Sequence, residues 1–374
     1  MSRKKTLDIE QSNPDFSACL LGWYDVHRRD LPWRTHPTLR PRIDPYAVLV
    51  SEFMLQQTQV ATVTPYFLRF MGQFPTAASL AAADTQQVLR LWQGLGYYAR
   101  ARNLQKAAKM IVDQFAGSLP KSMEALLNLP GVGRYTAGAI ASIAFDKPTP
   151  ILDGNVARVL SRLKNWRDDP RPPASAAKRW LLAEKILPAK RIGDFNSALM
   201  ELGATICTPR NPQCEICPVQ KFCRGYAAGD PQSIPPPKKP IATPLNQRWT
   251  FCIQHRGRWL IEQRPNTGRW ASLWQFPTAP MKPNESPESV AKSIGLQITN
   301  AISLGQISHA LTHRKYEFQI IQATLKNRIE IYPKNSSSNR RWIRPDELSE
   351  FPLPRPHLKI AAILKEAVNH TQLF

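Results

Sequence analysis

The chain predicts two successive architectures, a mostly α-helical domain and then a smaller α+β domain. Three observations carry this expectation. Helix punctuation and mixed apolar–basic stretches fill the chain as far as residue 226. A proline-rich change of character follows over 227–247, and period-two alternation characteristic of strands begins at 248 and runs on towards 370. The first domain is expected to begin at residue 14, and 374 residues suffice for two separate cores.

In the first domain, the Tyr97–Phe115 stretch sets Ala, Leu, Met and Ile against Arg, Lys and Gln, a helical mixture, and Gly117 supplies a stop. Ser122 is placed to cap a short apolar helix. Leu129–Gly138 then joins two helical stretches through a turn containing Gly131 and Gly133. Both glycines are expected to free the backbone for positive φ, so that its N–H groups, at the start of a helix, can approach a phosphate. An ordinary helix–helix turn is the bland alternative. Pro231–Pro244 holds six prolines and two lysines and reads as a stiff extended linker. Beyond it, Trp249, Phe251 and Ile253 alternate with Thr250, Cys252 and Gln254, predicting a strand with one strongly apolar face. Trp249–His255 and Trp259–Gln263 flank Arg256-Gly257-Arg258 as a hairpin. Leu304–Gly305, Tyr316–Leu325 and Arg341–Ile343 are further strand candidates.

Fifty Lys and Arg against 28 Asp and Glu give a formal charge of +22, which points to a polyanion, nucleic acid before membrane. No apolar run approaches the ~18 residues of a spanning helix. The N-terminal MSRKKTLDIEQS lacks the apolar core of a secretory signal, and Asp8 and Glu10 interrupt the positive face a transit peptide needs. A cytoplasmic bacterial protein is expected.

Cys207, Cys214, Cys217 and Cys223 leave six, two and five residues between successive thiols. With Pro209, Pro212 and Pro218 between them they can wrap one metal centre, and the donor set alone admits either a tetrahedral zinc or an iron–sulfur cluster. Two disulfides are the alternative, disfavoured by the intracellular character of the chain. Cys19 and Cys252 stand apart and are expected as small buried apolar residues.

Glu52 lies among Val50, Phe53, Met54 and Leu55 on a helix expected to be mostly buried. Burial raises a carboxyl pKa and would let it hold and give away a proton near neutral pH, although a buried acid can equally be structural, paired with arginine. Asp153 heads the stretch Asp153-Gly154-Asn155, where an aspartate is most often a helix N-cap.

The cysteine spacing resembles the [4Fe–4S] loop of the endonuclease III and MutY DNA glycosylases, and the Gly131/Gly133 turn resembles the helix–hairpin–helix of base-excision glycosylases. SEFMLQQTQV is similar to the MutY segment that carries the general acid, and Arg29-Asp30-Leu31-Pro32-Trp33-Arg34 is similar to the approach to that family's adenine pocket. The resemblance implies a helix–hairpin–helix glycosylase domain with an Fe–S cluster loop, one [4Fe–4S] cluster on the four cysteines, and a Nudix-like α+β domain behind the linker. It implies Glu52 as the acid to the leaving base and Asp153, with Asn155 beside it, as the carboxylate facing the sugar. Arg29, Trp33, Arg34 and Leu55 would form the adenine pocket. Gln57, Thr58, Leu95 and Tyr97 would fill the gap in the duplex, with Gly131 and Gly133 on its backbone. Tyr135 stands where strand-nicking relatives carry a lysine amine, which implies a monofunctional enzyme.

Leu260–Pro265, Gly268–Trp270 and Leu273–Pro277 resemble the Nudix-like domain of MutY, while the region of Glu285–Lys292 lacks the glutamates of a working Nudix hydrolase. His309–His313 resembles the family's H-x-F-S-H loop, implying that Leu311, Thr312 and His313 read 8-oxoguanine. Leu311 replaces the family's aromatic, Ser197 replaces a frequent Glu or Gln near the adenine pocket, and extra residues lie within 35–44. The implied activity is excision of adenine opposite 8-oxoguanine or guanine in double-stranded DNA, by a monomer. A bifunctional endonuclease III-type glycosylase/lyase, a non-catalytic Fe–S DNA-binding protein and a Nudix nucleotide hydrolase are the rivals.

Overall fold

The structure is a computed structural model that describes residues 6–34, 43–238, 242–282, 284–311, 313–326 and 339–371. Two compact units emerge from its contacts. The first comprises Met1–Ala82 and Asn103–Lys239, the second Ala83–Arg102 and Pro240–Phe374.

The first unit is helical. Its helices are α1 (Asn13–His27), α2 (Pro45–Leu55), α3 (Val60–Gln73) and α4 (Ala77–Ala82). After the second unit's α5 (Thr85–Leu91) comes α6 (Ala99–Phe115), which begins in the second unit and continues into the first, then α7 (Met123–Asn128), α8 (Arg134–Phe145), α9 (Gly154–Lys164), α10 (Pro173–Lys185), α11 (Ile192–Thr205) and α12 (Arg224–Ala227). Local chemistry sets the ends that position the site. Asp44 caps α2 by accepting from the Tyr46 N–H at 2.9 Å, with Pro45 fixing φ in the first turn. Ser122 caps α7 through the Ala125 N–H at 3.2 Å, as its sequence position predicts. Gly117, with φ 79°, stops the chain after α6. Inside, Phe16 of α1 meets Phe195 of α11 and Phe222 of the cysteine loop edge-on, at 6.1 and 5.5 Å between ring centres. The loop is thereby part of the same core as α8–α11.

Leu129–Gly133 forms the hairpin between α7 and α8. Only one of its glycines has the conformation expected of both: Gly131 has φ 82°, whereas Gly133 is extended at φ −96°, ψ 178° as the N-cap of α8. Gly131 is also pressed against its neighbours, since an added Cβ would lie 2.8 Å from Asn103 Cβ and 2.9 Å from Phe53 Cε1, while around Gly133 there is open space.

The expected linker is shorter than 227–247. Ile234 is fully buried, and its carbonyl accepts from Arg162 Nε at 2.8 Å. Asn211 N–H donates to the Gln232 side chain at 2.8 Å. The segment up to Ile234 is thus bound to the first unit, because Arg162 is buried and needs acceptors. The first strand, in turn, already begins at Leu245.

The second unit contains α5 and a sheet of β1 (Leu245–His255), β2 (Arg258–Gln263), β3 (Trp274–Gln275), β4 (Thr278–Pro280), β5 (Ile298–Leu311), β6 (Arg314–Leu325) and β7 (Arg340–Ile343), with α13 (Pro287–Ser293) and α14 (Arg355–Thr371). The order is β3-β2-β1-β6-β5, with β4 on β1 and β7 on β2. The β1–β2 hairpin turns at Arg256 (φ 47°) and Gly257 (φ 73°), the left-handed pair that a two-residue turn requires. The expectation of one apolar face on β1 is corrected. Thr250, Phe251, Cys252 and Ile253 are all buried. Phe251 and Ile253 enter one core with Val290 of α13, and Cys252 enters another with Ile360 and Leu364 of α14. A central strand covered by helices on both sides loses its polar face. Cys19, on α1, is half-buried against the first unit's core. Among the described residues no helix is long and apolar enough to cross a membrane.

Gly131→Ala should lower stability by roughly 2 kcal/mol, from left-handed backbone cost and overpacking together, while Gly133→Ala should change it little. Urea unfolding of both variants checks this; equal effects would contradict the described hairpin.

Candidate active site

An open cleft of about 1760 Å³ is cut into the first unit. Residues from the predicted acid, sugar-facing and adenine-pocket sets all line it: Glu52 and Leu55 from α2, Tyr135 from α8, Asp153 and Asn155 at the head of α9, and Trp33 and Arg34 from the preceding loop.

Glu52 is buried, with 5% of its surface exposed. Loss of water pushes its pKa up to about 7; Asp153 pushes the same way, while the Tyr135 hydroxyl and the Arg34 cation pull against them. Tyr135 is held far towards its neutral form by burial and by both carboxylates, and its hydroxyl also lies 3.2 Å from Met200 Sδ. Asp153 caps α9, its Oδ1 accepting from the Val156 N–H at 2.7 Å and its Oδ2 from Asn155 Nδ2 at 3.2 Å. Burial holds the Asp153 carboxyl above the ordinary aspartate range, and these donors and Arg158 only partly offset it. Asp153 is thus the N-cap of α9 and also lines the cleft. The result is two buried acids in different environments, both raised by loss of water, with Asp153 also held by N–H donors.

Beside this pair, Glu201 of α11 is a fully buried carboxylate held between two arginines. Arg29 Nε approaches it at 2.5 Å and Arg34 Nη2 at 2.9 Å. Burial alone would raise its pKa; the hydrogen bonds from Arg29 and the charge of Arg34 bring it below the usual value. Sequence reasoning missed Glu201, although it follows Ser197 by one helical turn and both line the cleft. Trp33 packs edge-on to Phe67 at 5.3 Å, and Arg34 lies over the Tyr24 ring at 5.7 Å. These contacts give Trp33 and Arg34 a defined position at the cleft.

The four clustered cysteines line one small pocket together with Arg162 and Tyr226. Burial pushes Cys217 up to about 12 and Cys223 up to about 11, with the neighbouring thiols adding to both. Four thiols this mutually close and shielded match a bound cationic centre that takes up their charge. Arg162 Nη1 donates to Cys207 Sγ at 3.2 Å and to the Thr208 carbonyl at 2.7 Å. Among the described residues, no three His, Cys, Asp or Glu side chains are arranged to hold a single metal ion.

Three family models match successive stretches of the chain. Residues 50–185 match the HhH-GPD superfamily of base excision DNA repair proteins, 207–223 the iron–sulfur binding domain of endonuclease III, and 248–362 the NUDIX domain. The adenine DNA glycosylase of Rattus norvegicus is 36% identical over 94% of this chain and 78% of its own length. The chain belongs to the adenine DNA glycosylase family. A second member, from Buchnera aphidicola subsp. Schizaphis graminum, is 34% identical over 94% of this chain and 99% of its own. Among solved structures, a thermostable thymine-DNA glycosylase is 29% identical and superposes with a TM-score of 0.52, over 58% of this chain and 98% of that one.

In this family member the cysteine loop is an iron–sulfur site, and its thiols fit such a cluster. Gln57 and Thr58 lie at the cleft edge in the turn after α2, where Gln57 is exposed with φ 59°. Leu95 and Tyr97 belong to the second unit; Leu95 is buried, whereas Tyr97 is 46% exposed with φ 49°. His309–Leu311 is the end of β5 rather than a loop, because Leu311 still pairs with Arg314 across the hairpin. Leu311 packs against the core of that unit and His313 is exposed. Thr312 and most of the 35–44 insertion lie outside the described residues.

The raised pKa of Glu52 has a measurable consequence. A carboxyl of unfolded pKa 4.5 and folded pKa about 7 takes up a proton on folding, so its contribution falls as pH rises through that window. Glu52→Gln removes this slope and should gain up to roughly 3 kcal/mol relative to the parent protein between pH 4.5 and 7.5. Denaturant unfolding of both proteins across this range measures it, and parallel curves would show that Glu52 titrates normally.

Proposed function

We propose that the chain removes adenine from duplex DNA opposite 8-oxoguanine or guanine by hydrolysing the N-glycosidic bond, without a strand-cutting step. The observation that carries the reading is the Glu52–Tyr135–Asp153 group, a carboxyl of pKa about 7 beside a second cleft carboxyl whose two oxygens each accept an N–H donor. Flipping the nucleotide out of the stack would bring its base into the cleft. Glu52 donates its proton to the departing adenine, and the glycosidic electron pair leaves with the base. Asp153 faces the cationic sugar that results and stabilises it. Water then adds to C1′, and its proton returns to the carboxylate pair.

Glu201, whose two oxygens each accept two N–H donors from Arg29 and Arg34, fixes both guanidinium groups at the cleft where they would border the flipped base. Tyr135 brings a neutral phenol where a Schiff-base mechanism needs an amine, so the sugar stays uncut. Gln57, Thr58 and Tyr97 fill the vacated gap. The hairpin N–H groups after Gly131 and Gly133 bind backbone phosphate. Leu311, Thr312 and His313 read the opposite base. Cys207, Cys214, Cys217 and Cys223 hold one [4Fe–4S] cluster, which would supply a rigid four-point tie and leave no coordination position for chemistry. The protein acts in the cytoplasm as a monomer.

Duplexes bearing adenine opposite 8-oxoguanine, guanine or thymine test the reading. Base release should be greatest with 8-oxoguanine, and strand breaks should appear only after alkali. Glu52→Gln should bind the duplex normally and lose base release by about three orders of magnitude or more. Alkali-independent breaks at the rate of base release would place the chain with the lyases instead.

Native protein isolated without oxygen should contain iron and acid-labile sulfide in equal amounts. Stoichiometric zinc without sulfide would remove the cluster assignment.

A further inference from the structure

Residues 83–102 fall inside the stretch that matches the glycosylase superfamily, yet their contacts group them with the second unit. The attachment is specific. Gln86 on α5 uses both ends of its amide: Nε2 donates to the Ser272 carbonyl at 3.1 Å, and Oε1 accepts from Trp274 Nε1 at 3.1 Å. Arg102 on α6 donates from Nη1 to the Ala271 carbonyl at 2.9 Å. Tyr98 Oη reaches the Leu353 carbonyl at 3.4 Å.

The receiving loop is strained in the way such a role requires. Trp270 and Ser272 have φ of 54° and 62°, left-handed values that non-glycine residues rarely adopt. Flanking Ala271, they turn two successive carbonyls towards Arg102 and Gln86. The other end of this loop meets the β5–β6 hairpin: the Trp270 ring lies 5.2 Å from Tyr316 and 6.2 Å from His309. On the α5–α6 side, the clamp borders the Gly94–Tyr98 turn. There Trp92 Nε1 donates to the Gly96 carbonyl at 3.1 Å, and Arg100 lies over the Tyr97 ring at 5.3 Å. A continuous path of packed and hydrogen-bonded groups therefore runs from the hairpin end to exposed Tyr97.

We propose that Arg102 and Gln86 are positioning residues that lock the Trp270–Trp274 loop to the Gly94–Tyr98 turn, so that the opposite-base contact at the β5–β6 hairpin and the insertion of Tyr97 are set together. This rests on the opposite-base and gap-filling roles proposed above. Neither residue touches DNA in this scheme; each acts through Tyr97.

The test uses the full chain and single-turnover base release from adenine opposite 8-oxoguanine and opposite guanine. Arg102→Met and Gln86→Leu should each reduce the 8-oxoguanine preference by about tenfold, as expected for losing a partly buried hydrogen bond, with less than about threefold change opposite guanine. Arg102→Lys should restore part of the preference. In a Tyr97→Ala background, neither variant should reduce it further. Equal loss on both substrates, or losses that multiply with Tyr97→Ala, would overturn the proposal and leave Arg102 and Gln86 with a stabilising role only. If the parent protein has no 8-oxoguanine preference, the opposite-base reading fails first and this inference falls with it. A retained parental preference in both variants overturns the inference alone.

Discussion

The cleft depends on how closely α8, α11 and the start of α9 approach one another. A Cβ on Gly138 of α8 would lie 2.5 Å from the Pro150 carbonyl oxygen, and one on Gly193 of α11 would lie 2.5 Å from the Ser142 carbonyl oxygen. At the other end of α11, a Cβ on Gly203 would lie 2.7 Å from Asn155 Cβ. These helices touch through backbone, a spacing that no larger residue permits. It brings Tyr135, Asp153 and Met200 into one wall facing Glu52 on α2. A slightly wider spacing would admit water behind Glu52, and water would return its carboxyl to the ordinary range.

Charge is distributed in the cleft by the same packing. Three of the carboxyls that line it, Glu52, Asp153 and Glu201, sit in different environments. Glu201 has two arginines and stays anionic. Asp153 has N–H donors from its own helix start. Glu52 has a tyrosine hydroxyl and apolar neighbours, and is the one most able to carry a proton at neutral pH. A basic chain of net charge +22 favours approach to DNA in general, but the chemistry is set by these local differences.

Much of this was legible in the sequence, because caps and motif residues act locally. Ser122, Gly117 and the Arg256–Gly257 turn sit where their chemistry predicts. Glu52, Tyr135 and Asp153 are far apart in the chain but carried a strong family resemblance, and the fold brings them together. What was not legible depends on tertiary context. Glu201 looks like any helical acid until Arg29 and Arg34 fold over it. The second polar-looking face of β1 is buried because α13 and α14 cover opposite sides of the sheet, which alternation within one strand does not reveal. Ile234 looks like part of a linker until Arg162 supplies the reason for its burial. Gly133 shares a motif with Gly131 yet takes an extended conformation, since only one of the two meets the crowded side of the hairpin.

The cysteine loop and the cleft meet in a single side chain. Arg158 Nε donates to the Cys207 carbonyl at 2.8 Å, and its Nη2 donates to the Gly203 carbonyl at 2.7 Å and to Asn155 Oδ1 at 2.9 Å. Three acceptors in different directions fix the plane of the guanidinium. Because that group can only donate, it forces the oxygen of the Asn155 amide to face it. The amide nitrogen is then left to face Asp153, as observed at 3.2 Å. The orientation of a hydrogen-bond donor on Asp153 is therefore set by the backbone of the first cysteine in the loop. A loop that loses its fold would withdraw one of the three acceptors and free Arg158 to rotate. Asn155 could then present its oxygen to Asp153, replacing a stabilising donor with a repelling acceptor. In this arrangement the hydrogen bonding of Asp153 depends on the geometry of the cysteine loop.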